Sequence, residues 1–244
     1  MNDLVVVVLA AGKGTRMKSN LTKVCHKVGD KTMIEHVTNT ASQLSHQIIV
    51  VVSKENLHDI KSVVKDNIRL KIQTEQLGTG HAVVSTLDSF KNKDLLVLLG
   101  DVPLITAETL KKALYCSSST DVIAYDAVII GFHDENSENK FGRIIRENNR
   151  VKKIVEYLDC TPEERQITLC NSGMLSIKST YVPLLYEISN NNKKGEYYLT
   201  DIVEIMVKRG LTVGCLEVDK NECLGVNSPD ELSQINFLFS SKKE

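Results

Sequence analysis

The chain has no tryptophan, only 4 prolines, and aromatic residues at just 5% of its 244 positions. So few stacking surfaces argue against a protein that reads unpaired nucleic-acid strands through their bases. Neither sign of charge is in excess: 30 Lys+Arg stand against 31 Asp+Glu, a net charge of −1. Without a cationic field, neither nucleic acid nor a membrane surface is an expected partner, and any phosphate must be held by a few placed groups. No apolar run nears the roughly 20 residues of a membrane helix. The stretch Leu4–Leu9 reads as too short, and too poor in basic flank, for a secretory leader. The six cysteines, at 25, 116, 160, 170, 215 and 223, make no C-x-x-C pair and no zinc spacing. Reduced, mostly buried thiols in a cytoplasmic protein are the expectation.

What is present is ordinary globular composition, 42% hydrophobic and 25% charged, in a chain long enough to bury a core unaided. Through the first half, β-branched runs alternate with helical patterns. Leu4–Leu9, Ile48–Val52 and Leu95–Leu99 read as strands covered on both faces, and Leu70–Gln73 as a shorter one. Helices are expected from a Thr32…Glu35 capping box to about Leu44, from a Ser53 cap to Val64, over Thr79–Leu87 and over Thr106–Tyr115. Alternation of this kind implies an α/β fold with a doubly wound, largely parallel sheet.

The second half changes character. Arg143–Arg146 and Val151–Glu156 flank the turn cluster Glu147-Asn148-Asn149-Arg150, a hairpin signal. Helices are expected at Ser179–Glu187 and Leu199–Lys208, a strand at Thr212–Val218, and a last helix from Ser228. With no linker and no repeat, residues 1–244 read as one domain. Its parts are a first lobe over about 1–115, a smaller second lobe over about 116–227 and a C-terminal helix over about 228–240. The tail 240–244 is expected to fray.

Two features carry chemistry. Leu9-Ala10-Ala11-Gly12-Lys13-Gly14-Thr15-Arg16-Met17 follows the first strand directly. Two glycines and small residues let the backbone turn tightly and aim several N–H groups at one anion, with Lys13 and Arg16 beside them. It is neither a Walker A loop nor G-x-G-x-x-G, since Met17 takes the third glycine's place. The bland alternative is a tight turn with solvated charges; the position after a buried strand favours a phosphate, because open α/β sheets bind ligands at strand carboxyl ends. The second feature is Gly100-Asp101, just past Leu95–Leu99. An ionised carboxylate there costs free energy unless partnered. Mg²⁺ shared with substrate phosphates is one partner, and capping of the next turn is the other.

Seven ordered segments then point to a family: LAAGKGTRM (9–17), KVCH (23–26), EQLGTGHA (75–82), GDVPL (100–104), FGRI (141–144), GEYYLTDI (195–202) and GVN (225–227). The chain resembles the sugar-nucleotide pyrophosphorylases, and among them the uridylyltransferase half of the bifunctional bacterial enzymes that make UDP-N-acetylglucosamine. The resemblance implies a Rossmann-like nucleotidyltransferase fold, a Mg²⁺ cofactor, and UTP and N-acetylglucosamine 1-phosphate as substrates. It places Leu9, Ala10, Ala11, Gly12, Gly14 and Gly100 on the nucleotide and Arg16 on the triphosphate, with Lys23 at the reacting phosphate. It puts Gln73, Gln76, Gly78 and Thr79 on the uracil, and Asp101 and Asn227 on the metal. Gly142, Glu156 and Asn171 would hold sugar and ribose, and Tyr198 and Thr200 would wall the sugar pocket. The family reaction, with Arg16, Lys23 and Asp101 as its catalytic groups, is attack of a sugar phosphate oxygen on the α-phosphorus of UTP.

This chain departs from the family pattern at Thr22, where a proline is usual, at Leu99, where an aromatic is common, and at Ser172, where threonine is usual. Thr22 is expected to loosen the loop that presents Lys23. No hexapeptide repeats follow, so no trimer-forming acetyltransferase β-helix is expected in this chain, which would be a monomer or weak dimer. A stand-alone transferase and a piece of a longer protein both fit. Rival readings are a pyrophosphorylase for another sugar or nucleotide, and a non-catalytic sugar-nucleotide binding protein.

Overall fold

A computed structural model of the chain describes residues 3–115, 125–148 and 150–241. Cys116, Asn149 and residues 242–244, all named above, lie outside them. Strands β1 (Leu4–Leu9), β2 (Lys27–Val28) and β3 (Lys31–Thr32) precede helix α1 (Met33–Ser42). Then come β4 (Ile48–Val52), α2 (Leu57–Val63), β5 (Arg69–Ile72), α3 (Thr79–Val84), β6 (Asp94–Leu99) and α4 (Ala107–Tyr115). The second half holds β7 (Ala127–His133), the hairpin β8 (Arg143–Glu147) and β9 (Arg150–Val155), α5 (Pro162–Arg165) and β10 (Leu169–Ile177). It ends with α6 (Asp201–Lys208), β11 (Val213–Glu217), α7 (Lys220–Cys223) and α8 (Pro229–Ser241).

One mixed, nine-stranded sheet organises these elements, in the order β11-β7-β10-β6-β1-β4-β5, with the β8–β9 hairpin branching from β10. β1, β4, β5 and β6 are mutually parallel, whereas β10 runs antiparallel to both β6 and β7. Both faces are covered, as the β-branched runs require. Along β1, Leu4, Val6 and Val8 enter one core, with Ile34 and Val37 of α1 and Ile60 of α2. Val5 and Val7 enter the other, with Val83 of α3 and Ile202 and Met206 of α6. This two-residue alternation is the pleat itself. Among the described residues no helix is long and apolar enough to cross a membrane.

Several boundaries differ from the sequence expectation for identifiable reasons. Ser53 does not open α2: its hydroxyl accepts from the Asn56 N–H at 3.2 Å, and Asn56 stands at the helix N-cap. Residues Ser179–Glu187 form a 3-10 helix rather than an α-helix, with Pro183 inside it, where a missing N–H and a ring clash oppose i→i−4 bonding. α6 starts at Asp201, two residues later than Leu199. Helix α8 continues through Ser241, so Ser240 and Ser241, read as tail from the sequence, are helical. The central strands β7 and β10 had no counterpart in the sequence reading. In β10 the run is broken by Asn171-Ser172-Gly173, where the register shifts and Gly173 takes φ +84°, so polar residues sit mid-strand at a bulge.

Candidate active site

β1 and β6 are neighbours in exact-pair register from Leu4↔Asp94 to Leu9↔Leu99, so their carboxyl ends open side by side. The Gly100 N–H donates to the Leu9 carbonyl at 2.9 Å, carrying the adjacency one residue past the strands. The glycine loop and Asp101 therefore flank one opening. The chain passes from β1 to β4 on one side of β1 and returns to β6 on the other, which makes this crevice a topological switch point.

A cleft of about 420 Å³ occupies the crevice. Leu9, Ala10, Ala11, Gly12, Lys23, Val24, Gln73, Gln76, Gly78, Thr79, Ala82, Leu99, Asp101 and Glu196 line it. Most of the residues assigned by resemblance to nucleotide and catalysis are thus together. Gly14, Arg16 and Gly100 stand outside the lining: Arg16 is exposed on a short 3-10 turn, Thr15–Met17, Gly100 is buried between Leu99 and Asp101, and Gly14 acts indirectly. Gly14 has φ +63°, and a Cβ there would lie 2.6 Å from Lys23 Cβ, so only glycine lets the lysine stem seat against the loop. Val24, Ala82 and Glu196 also line the cleft; they fall inside the segments KVCH, EQLGTGHA and GEYYLTDI, but the resemblance assigns them no role.

At the cleft mouth the Lys23 ammonium is hydrogen-bonded to the Asp101 carboxylate and also donates to Asn227 Oδ1 at 3.1 Å. The pair is mostly buried, with side-chain exposures of 13% and 19%. Asn227 is held there by tertiary contacts. The Val226 N–H donates to the Asp101 carbonyl at 3.0 Å, and Glu231 at the start of α8 accepts from the Asn227 N–H at 2.5 Å. One carboxylate and one amide oxygen are hard donors of the kind Mg²⁺ uses when phosphate and water supply the rest. Among the described residues no cluster of three or more His, Cys, Asp or Glu could hold a metal alone.

The far wall of the cleft is built from chain segments that share hydrogen bonds. Gln73, buried, donates through Nε2 to the Gly78 carbonyl at 3.2 Å and lies 3.0 Å from His81 Nδ1. Gln76 donates to the Ala11 carbonyl at 3.0 Å, tying this segment to the glycine loop. Gly78, at φ +120°, packs so tightly against the Tyr197 backbone that a Cβ would come within 2.5 Å of its carbonyl oxygen. The Gly80 N–H donates to that same carbonyl at 2.7 Å, and Thr79 Oγ1 accepts from the Leu199 N–H at 3.1 Å. The GEYYLTDI segment is thus a buttress for the EQLGTGHA segment.

The residues assigned to the sugar also cluster. Thr200 donates to Glu156 Oε1 at 3.0 Å, a Cβ on Gly142 would lie 3.5 Å from Glu156 Oε2, and the Asn171 N–H donates to the Gly142 carbonyl at 2.8 Å. Burial holds the Glu156 carboxyl above its ordinary range despite the Thr200 hydrogen bond. None of these residues lines the cleft described above; Glu156 and Tyr198 line, with Asp159 and Asp201, a separate cavity of about 380 Å³ between β9 and α6. Thr22, expected to loosen the lysine loop, instead donates to Asp59 Oδ2 at 2.5 Å and is anchored. Cys25 is buried, and desolvation with nearby Asp59 and Glu35 pushes its thiol up to about 11, which makes it inert despite the neighbouring Lys23.

A glycine loop and an acidic residue at the ends of adjacent parallel strands, beside a polar wall and a buried lysine, define a nucleotide-binding α/β domain of the transferase type. Residues 6–147 match the MobA-like NTP transferase domain, and the chain belongs to that family. Among curated relatives it is 43% identical over 239 residues to the bifunctional protein GlmU of Clostridium novyi, covering 96% of this chain and 51% of the relative. With the bifunctional protein GlmU of Jannaschia it shares 37% identity over 247 residues, covering 98% of this chain and 53% of the relative. The chain thus spans about half the length of the curated relatives it matches. A solved structure described as a glucose-1-phosphate thymidylyltransferase from Bacillus anthracis, in complex with a sucrose, superposes with a TM-score of 0.76 at 19% identity. That match covers 97% of this chain and 95% of the other, and shows the shared fold.

Proposed function

We propose that this protein transfers UMP from UTP to N-acetylglucosamine 1-phosphate, giving UDP-N-acetylglucosamine and pyrophosphate. The observation that carries the reading is the convergence of Asp101 and Asn227, 78 and 204 residues from Lys23, on the Lys23 ammonium, beside the cleft that Lys23, Asp101 and the glycine loop line. Binding alone has no need of a buried ammonium beside a carboxylate. Relatives named as bifunctional GlmU, matched over nearly the whole of this chain, support the choice of reaction.

In this reading the Ala10–Gly12 amides and Arg16 receive the triphosphate. Gln73, its amide nitrogen committed to Gly78 and His81, keeps its oxygen as an acceptor for the imide N–H of uracil, which cytosine lacks. Gly142, Glu156, Asn171 and Thr200 hold the amino sugar and ribose, so the first part of the chain serves the nucleotide and the later part the sugar. The donor oxygens of Asp101 and Asn227 fit Mg²⁺, which when bound would neutralise and align phosphate oxygens.

A sugar phosphate oxygen forms the new bond to the α-phosphorus while the bond from that phosphorus to the α–β bridging oxygen breaks. Pyrophosphate leaves with the electron pair. The nucleophile is already an anion, so no general base is required, and the protein acts by alignment and by charge placed where it develops. Lys23 is the group best placed to stabilise the reacting phosphate.

The test is pyrophosphate release from a panel of nucleoside triphosphates and sugar 1-phosphates, with and without Mg²⁺. UTP with N-acetylglucosamine 1-phosphate should give the highest kcat/KM, and chelation should abolish release. Preference for another pair would reassign the substrate, and nucleotide binding without any turnover would make the protein a sensor.

A further inference from the structure

Helix α2 lines no part of the cleft, yet its first turn touches both loops that build it. Asn56, at its N-cap and 6% exposed, has every polar group committed. Its Nδ2 donates to the Ala10 carbonyl at 2.8 Å, its Oδ1 accepts from the Ser53 N–H at 2.8 Å, and its own N–H donates to Ser53 Oγ at 3.2 Å. The side chain of an N-cap residue ordinarily turns back to its own helix; this one reaches across to the glycine loop instead. Three residues on, and so on the same helical face, Asp59 accepts from Thr22 Oγ1 at 2.5 Å. Thr22 is the residue from which the Lys23–Cys25 turn springs, through the Cys25 N–H to Thr22 carbonyl bond of 2.8 Å.

We infer that Asn56 and Asp59 are positioning residues: the first turn of α2 holds the glycine loop and the lysine loop at the separation the reaction needs. The inference rests on the proposed transfer to the α-phosphorus, in which Ala10 and Lys23 address one triphosphate. Ala10 and Lys23 face the same cleft, but the hydrogen bonds from α2 are what couple the backbones that carry them. The two arms act differently. Asn56 sets the loop that binds the nucleotide, so its loss weakens UTP binding. Asp59, through Thr22, sets the loop that carries the ammonium at the reacting phosphate, so its loss slows the chemical step.

The experiment measures kcat and KM for pyrophosphate release by the whole chain, together with amide hydrogen exchange over residues 20–26. Asp59→Ala and Thr22→Val should each lower kcat by about five- to tenfold, the worth of one partly exposed side-chain hydrogen bond, with KM for UTP within about twofold. The double variant should lose no more than either single one, because the two groups act as a unit. Asp59→Asn and Thr22→Ser keep the acceptor and the hydroxyl and should restore activity to within about twofold of the original. Asn56→Ala should raise the KM for UTP by about tenfold. The Cys25 and His26 amides should exchange about tenfold faster in Asp59→Ala, while strand amides are unchanged. Unchanged exchange at Cys25 and His26 overturns the inference whether or not the protein is active. So do additive losses in the double variant, or unaltered kcat in an otherwise active enzyme. An inactive parent chain with the expected exchange pattern would instead overturn the proposed reaction. If Asn56→Ala does not fold, the half-exposed Asp59 and Thr22 variants decide alone.

Discussion

The Lys23 ammonium and the Asp101 carboxylate form a hydrogen-bonded ion pair whose cation also reaches Asn227. The lysine therefore stands between the two oxygens best suited to a divalent ion. In the proposed reaction a metal bound by those two oxygens would displace it and leave the ammonium available to a phosphate. Substitution of Lys23 should have two opposite effects. Lys23→Met should lower turnover by ~10²–10³, the usual cost of one positioned charge donor. The same variant, without nucleotide, should bind Mn²⁺ about tenfold more tightly if the ammonium holds the site nine-tenths of the time. Electron paramagnetic resonance titration with Mn²⁺ reads this directly, and equal or weaker binding would show that metal and lysine do not compete.

Gly14 shapes the same lysine from the other side. An alanine at φ +63° carries a left-handed penalty of about 1–2 kcal/mol and also collides with Lys23 Cβ. Gly14→Ala should lose about that much stability in urea and lose kcat well beyond it. A variant with full turnover would show that the lysine stem has room to move.

Arg143 is fully buried, and its acceptors are the carbonyls of Phe141, Ser137, Asn139 and Arg165 together with Asn139 Oδ1. It knits the loop before β8 to the end of α5, and Gly142 is its neighbour. Arg143→Leu would strand several buried carbonyls, each costing about 1–3 kcal/mol. Chemical denaturation should show a loss of roughly 3 kcal/mol or more, and Arg143→Lys should recover little because one ammonium cannot reach the same set of acceptors.

Asp201, at the first position of α6, is raised from 3.8 to about 6, by burial first and then by Glu156, Glu204 and Asp159. The folded protein thus holds a proton there that the unfolded chain releases nearer pH 4. Stability associated with this group is present below that pH and is lost as pH rises toward 6. Asp201→Asn should flatten the decline, so the variant gains on the original protein between pH 4 and pH 6 in thermal unfolding. Parallel pH curves for the two proteins would remove Asp201 as the source.

How much of this was legible beforehand can be judged from particular residues. The β-branched run Leu4–Leu9 and its two sister strands declared themselves, because burial on both faces demands continuous apolar sequence. The glycine loop and Gly100-Asp101 were readable because loops that turn a strand toward a ligand need small residues and a localised charge. β10 was not readable, since its bulge places Asn171, Ser172 and Gly173 where a strand pattern expects alternation. The anchoring of Thr22 is not legible either: its hydroxyl finds Asp59, 37 residues away, and sequence spacing carries no trace of that pairing. Asn56 and Asp59 offered one weak sign, polar residues three apart just after a buried strand.

Hydrophobic periodicity and local turn chemistry, both properties of a few consecutive residues, determined the strands, most helices and the tight glycine turn after β1. Which loops meet was decided only by the folded sheet. Placing β6 beside β1 is a long-range choice made by packing two cores at once, and it alone brings Asp101 to the glycine loop. Capping of α8 by Glu231, and the backbone bond from Val226 to Asp101, then deliver Asn227 to the same point. Contacts of that kind join distant segments through geometry that no stretch of sequence contains.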